Sequence, residues 1–206
     1  ALDLLESSGL RTPARRLTSV GDRSVLILTR FDRTATGSRI GYISAMTALG
    51  ANDGDHRDYV EIAEAVRDLS KSPKADHREL FDRVVTSVVL GNTDDHLRNH
   101  GFLEDRGSWM LSPAFDVNPT PDSWRPRSTS IMGADAGPDE AAALLPLAEE
   151  CGLSAEQART RIRRILGVMT SWRDVARRHG IREQEITMMA ESIETRIATV
   201  DDAIRM

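Results

Sequence analysis

The chain has 206 residues, 40% of them hydrophobic and 29% charged, a balance that suits a packed globular core and excludes a wholly disordered chain. Its formal net charge of −5 argues against a dedicated binder of DNA or of anionic membranes. A single cysteine, Cys151, excludes an intrachain disulfide and any zinc-finger spacing.

No apolar run approaches the ~20 residues of a membrane span, and no signal peptide is visible, so the expected location is the cytoplasm. The chain begins with Ala1 and enters a helical pattern at once, which reads as a piece of a longer protein. A short amphipathic helix is predicted over residues 2–8, stopped by Gly9. Residues 24–31, β-branched and continuous, form the clearest strand, and residues 14–19 a partner joined to it through Gly21 and Asp22.

From Tyr42 onward helices dominate. Short apolar periods predict helices over 42–49 and 57–69. Asp76 with Glu79 three residues later reads as a helix cap. The apolar stripe Leu80, Phe81, Val84, Val85, Val88 and Val89 then predicts a buried helix. Residues 101–103 and 108–111 read as a small hairpin. The stretch 116–136, rich in Pro, Ser, Thr and Gly, reads as a long irregular segment, a kind that is usually functional or mobile. Helices over 139–151, 155–178 and 183–205 close the chain, with a capping-box pattern at Ser154 to Gln157.

The chemistry concentrates in Asn92-Thr93-Asp94-Asp95-His96-Leu97-Arg98-Asn99, a polar loop directly after the buried helix. Phosphoryl transfer needs a base that orients a hydroxyl and hard oxygen ligands for Mg²⁺. Asp94, Asn99 five positions on and Asp116 beyond the hairpin supply those groups, and together they point to a kinase catalytic lobe. Each alone has a plainer reading as a turn or cap residue. Asp95, adjacent to Asp94, is expected to face solvent. His96 reads as a structural imidazole that shapes the loop. Arg98 reads either as a phosphate contact or as the partner of a neighbouring acid.

Thr93 to Asn99 and Pro113-Ala114-Phe115-Asp116 resemble the catalytic and metal-binding loops of HipA-family serine/threonine kinases, toxins of type II toxin–antitoxin modules. Residues 28–33 resemble that family's hinge strand, Gly37 to Ile40 the segment after it, and residues 153–181 its C-terminal helices. The resemblance implies an α+β, mostly α fold: a helical C-lobe over residues 37–206 with a small N-lobe remnant over 1–36. It implies ATP and Mg²⁺ as cofactors, with Asp94 as proton acceptor and Asn99 and Asp116 as metal ligands. Arg30 and Phe31 would meet adenine through backbone atoms, and Asp32 would reach the ribose. His96, Arg98 and Asn99 would border the triphosphate, with Phe115 beside Asp116. The implied partners are a protein substrate, an aminoacyl-tRNA synthetase being the best-known type, and a DNA-binding antitoxin.

Two parts of such a kinase are missing from the sequence. No Gly-rich loop precedes a strand, and the only lysines, Lys71 and Lys74, fall in a polar turn between helices. The chain alone is therefore expected to be inactive or nearly so, because positioning and electrostatics dominate phosphoryl transfer. The competing readings are an aminoglycoside-phosphotransferase-like small-molecule kinase, which shares the Asp-x-His-x-x-Asn core, a pseudokinase binding module, and a purely structural helical domain.

Overall fold

The computed structural model describes residues 1–122 and 125–205. Its organising element is α4 (Pro73–Leu90). From Leu80 to Leu90 every side chain of this helix is buried, as expected of a helix packed on all sides. Its neighbours are α3 (Tyr59–Leu69), α6 (Leu144–Glu150), α7 (Ala155–Met169) and α9 (Glu183–Ala203). Pro73 stands in its first turn, where a missing N–H costs nothing. Gly91 ends it in the left-handed region at φ 66°, and Arg196 Nε lies 3.0 Å from where a side chain there would begin.

The caps follow their chemistry. Asp58 caps α3 by accepting from Val60 N at 2.9 Å, while Glu61 accepts from Asp58 N at 2.9 Å. Ser154 and Gln157 form the same reciprocal pair on α7. Asp76 does not cap α4, which starts one turn earlier. Its buried carboxylate instead accepts from Ser70 Oγ at 2.7 Å and from Leu111 N at 2.8 Å.

A three-stranded antiparallel sheet carries the Asp94 and Asp116 loops. Its order is β3 (Tyr42–Ser44), β5 (Gly101–Asp105), β6 (Ser108–Leu111). The stretch expected to be a helix over 42–49 is thus half strand, followed by the one-turn α2 (Ala45–Ala48). The β-branched and aromatic character of Tyr42-Ile43 favours the ladder. The Tyr42 ring occupies the space a Cβ on Gly101 would need, 2.3 Å from it, so only glycine fits at that crossing. Because β5 follows the polar loop and β6 leads into Asp116, pairing β5 with β6 brings the two loops side by side.

The expected hairpin is present as β1 (Arg15–Val20) paired with β2 (Arg23–Leu28). Val25 to Leu28 stay exposed, however, because β2 pairs only with β1 and no layer of the described residues covers it. The ribbon is tied down by Arg15, which donates to Asp3 at 2.7 Å and to Glu6 at 2.7 Å on α1 (Leu2–Ser7). The long predicted helices are broken. Residues 139–151 divide into α5 (Asp139–Ala142) and α6, and 155–178 into α7 and α8 (Trp172–Arg178). Residues 116–136 are irregular where described. The exception is the two-residue β7 (Thr129–Ser130), which runs parallel to β4 (Arg57–Asp58), the start of the stretch expected as helix 57–69. Trp124, inside that irregular stretch, lies outside the described residues. The fold is α+β and mostly helical. Among the described residues no helix is long and apolar enough to cross a membrane.

Candidate active site

After Gly91 the chain turns back on α4. Asn92 N donates to Ser87 O at 2.9 Å, and Ser87 Oγ donates to Asn92 O at 3.0 Å. Burial then alternates. Asn92, Thr93, Asp95, Leu97 and Asn99 are inside, while Asp94 and Arg98 face solvent. The Asp94 side chain is 59% exposed, open to an incoming hydroxyl. Asn99 Nδ2 donates to Asp94 O at 3.2 Å, which leaves Asn99 Oδ1 as the acceptor available to a cation.

Asp95 is buried, contrary to the expectation that it faces solvent. Tyr59 donates its phenolic hydrogen to Asp95 Oδ2, and Ser87 Oγ donates to the same oxygen at 3.0 Å. His100 Nε2 lies 3.1 Å from Asp95 Oδ1, and its ring packs edge-on against Tyr59 at 5.4 Å. Thr129 Oγ1 donates to Asp95 O at 2.7 Å. Burial alone would push this carboxyl up, but the close approach of His100 and the hydrogen bond from Tyr59 outweigh it and hold the group well below the usual carboxylate range. The Tyr59 hydroxyl is pushed well up by burial and by Asp95, so it stays a donor. Two adjacent aspartates thus do different work: one is presented, the other nails the loop to α3, α4 and β7. Tyr59, Ser87 and Thr129 lie tens of residues from Asp95 or in unremarkable sequence, and no spacing rule singles them out.

Asp116 adopts φ 56°, a left-handed conformation that Asp tolerates better than most residues. Asn118 Nδ2 donates to Asp116 Oδ1 at 2.9 Å, and Asn118 N donates to Asn92 Oδ1 at 3.1 Å. Asn118 therefore ties the Asp116 loop to the Asp94 loop. Asn92, Asp95, Asn99, Phe115 and Val117 border one small cavity of about 20 Å³. Phe115 stacks at 5.4 Å on Phe31, which in turn meets Tyr42 at 6.0 Å, so the segment after β2 joins the site. There the Arg30 hydrogen bonds hold Asp32 at about 2, with Arg33 donating at 2.8 Å.

The rim holds two arginines. Arg98 pairs with Asp53, and Arg125 Nη2 lies 3.7 Å from Asp94 Oδ1. His96 is half-buried, and its Nδ1 has no partner among the described residues. Lys71 pairs with Asp105 and Lys74 stands in the first turn of α4. Among the described residues no group of three or more His, Cys, Asp or Glu converges on a metal position. One amide oxygen and one carboxylate are a donor set that suits Mg²⁺, which keeps waters and takes substrate phosphates rather than an all-protein cage. A groove of about 1080 Å³ runs between α1, the hairpin, α8 and α9; it touches Asp116 but neither Asp94 nor Asn99.

Comparison with known proteins bears on this geometry. The sequence model of the HipA-like C-terminal domain family matches residues 1–198. A Haemophilus influenzae protein described as a "Putative kinase" is 33% identical over 78 residues, 36% of this chain and 23% of that protein. The Shewanella oneidensis HipA structure, a complex with HipB and operator DNA, superposes with a TM-score of 0.76 at 17% identity. The match covers 98% of this chain and 56% of that one, so the chain spans little more than half of that relative. The Helicobacter pylori proinflammatory kinase CtkA superposes with a TM-score of 0.65 at 14% identity, over 98% of this chain and 80% of that one. At these identities the two structures speak for the fold.

Proposed function

The chain belongs to the HipA-like C-terminal domain family, and from that premise we propose that it is the catalytic-loop portion of an ATP- and Mg²⁺-dependent serine/threonine protein kinase. The observation that carries this reading is the coupling of three oxygen-bearing groups. Asp94 is exposed on a loop whose backbone Asn99 holds, and Asp116 is tied to that loop through Asn118 and Asn92.

In this reading Asp94 takes the proton of the acceptor hydroxyl, and Asn99 Oδ1 and Asp116 hold the magnesium ion. The ion, when bound, supplies charge neutralisation at the transferring phosphoryl group. The backbone at Arg30 and Phe31 meets the adenine, Asp32 the ribose, and His96, Arg98 and Phe115 border the nucleotide. Residues 1–36 act as the remnant of an N-lobe and 37–206 as the C-lobe. HipB and DNA in the Shewanella complex support a DNA-binding antitoxin as partner, and the toxin role with it. The protein substrate, with an aminoacyl-tRNA synthetase as first candidate, follows from the family resemblance alone. No lysine among the described residues approaches the site, so transfer is assigned to the protein at the length of its relatives, with this chain alone near-inactive.

The test is Asp94→Asn in that longer protein, assayed with radiolabelled ATP. Transfer should fall by about 10³-fold or more, with nucleotide binding not weakened and far-UV circular dichroism kept. Transfer unchanged by Asp94→Asn would remove the base from Asp94 and the kinase reading with it.

A further inference from the structure

Arg125 belongs to no motif, yet its Nη2 lies 3.7 Å from the exposed Asp94. Its place is set by buried chemistry downstream. Arg127 is buried and donates through Nε to Glu140 at 2.8 Å, and Arg196 pairs with the other oxygen of Glu140. Ser128 N donates to Thr93 O at 2.8 Å, and Thr129 Oγ1 donates to Asp95 O at 2.7 Å. These two bonds straddle Asp94, so residues 127–129 are pinned along the catalytic loop and Arg125 is held at its mouth. Its side chain remains 53% exposed. An exposed ion pair at that distance contributes little to stability, so its partner is exchangeable.

Resting on the kinase reading above, we propose that Arg125 is a catalytic residue that changes partners. Without nucleotide it engages Asp94; with a nucleoside triphosphate bound it swings to the terminal phosphate and frees the Asp94 carboxylate. The transfer then balances within the site. The acceptor O–H proton passes to Asp94, the acceptor oxygen bonds to phosphorus, and the bond from phosphorus to the diphosphate oxygen breaks as the nucleoside diphosphate leaves. A guanidinium matches this task because it stays charged and can donate two parallel hydrogen bonds to phosphate oxygens. It would also supply, from this chain, part of the phosphate clamp that no lysine here provides.

The test is equilibrium binding of fluorescent ADP and of a non-hydrolysable fluorescent ATP analogue, with Mg²⁺, to the 206-residue chain. Arg125→Gln should weaken the triphosphate by about tenfold and the diphosphate by less than about twofold, with Arg125→Lys in between. Asp94→Asn should tighten the triphosphate, and that gain should vanish in Asp94→Asn/Arg125→Gln, because the competition runs through Arg125. A triphosphate-to-diphosphate ratio unmoved by Arg125→Gln overturns the inference while leaving the nucleotide site standing. Loss of Mg²⁺-dependent binding of both nucleotides in Asp116→Asn would support that site independently. A wild-type chain that binds neither nucleotide overturns this inference, while the kinase reading is decided by Asp94→Asn in the longer protein.

Discussion

Replacing Tyr59 by phenylalanine deletes one oxygen and nothing else, in a side chain with no solvent exposure. The lost group is a donor to the buried carboxylate of Asp95. Hydrogen bonds to charged groups are worth roughly 1.5–3 kcal/mol net. Ser87 Oγ and His100 Nε2 remain, at 3.0 and 3.1 Å, so the carboxylate is weakened rather than abandoned. The expected loss is about 2 kcal/mol, which for a chain of this size lowers Tm by roughly 4–8 °C. Circular dichroism at 222 nm with heating at pH 7 measures it. The sign of the pH dependence is a second check. Asp95 has its folded-state value depressed, so its contribution is present above the ordinary carboxylate value and fades as pH falls below it. The difference between wild type and Tyr59→Phe should therefore be constant from pH 7 to about pH 5 and shrink below about pH 4. A Tm change under about 1 °C at pH 7, or a gap that widens in acid, would refute the account of Asp95 as a carboxylate nailed down by Tyr59.

Gly101→Ala would place a Cβ 2.3 Å from the Tyr42 ring, and overpacking of that kind costs about 1–3 kcal/mol; chemical denaturation should show a lowered midpoint at unchanged slope. Glu140→Ala removes the buried carboxylate shared by Arg127 and Arg196, and breaking such a pair costs about 3–5 kcal/mol. Urea titration should show that loss, and proteolysis should cut first within residues 116–136, whose anchor is gone.

Which parts of the fold the sequence reveals depends on how local their causes are. The apolar stripe of α4, the Ser154 capping box and the hairpin turn at Gly21 involve neighbours a few residues apart, and periodicity and turn chemistry show them directly. Tyr42 to Ser44 becomes a strand only because β5 lies beside it, so the short helical period there misleads. Asp76 looks like a cap from its spacing to Glu79. Its actual partners, Leu111 N and Ser70 Oγ, are contacts made by the tertiary fold. The apolar run in β2 is legible as a strand, but its exposure is not, because composition records the preference of a segment and not whether a layer lies over it.

The adjacent pair Asp94-Asp95 shows where the limit falls for the site. Spacing to Asn99 singles out Asp94, because a motif is a relation along the chain. Nothing along the chain says that Asp95 is inside, since its donors come from positions 59 and 87 and its imidazole neighbour from position 100. Yet the loop needs such an anchor. An exposed carboxylate on an untethered loop loses the alignment on which transfer depends, and positional error of about 1 Å costs on the order of 10²-fold in rate. A buried aspartate one residue away supplies the tether, because the turn that exposes Asp94 buries its neighbour. Asp95 turned inward toward Tyr59 therefore goes with Asp94 turned outward. Arg98, in the one-turn 3-10 helix Leu97–Asn99 that follows, lies on the open side as well, and Asn99 is buried where its amide holds the Asp94 carbonyl. The loop and the short helix after it thus hold Asp94, Arg98 and the Asn99 amide together, which is why weakening the Tyr59–Asp95 contact should disturb all three.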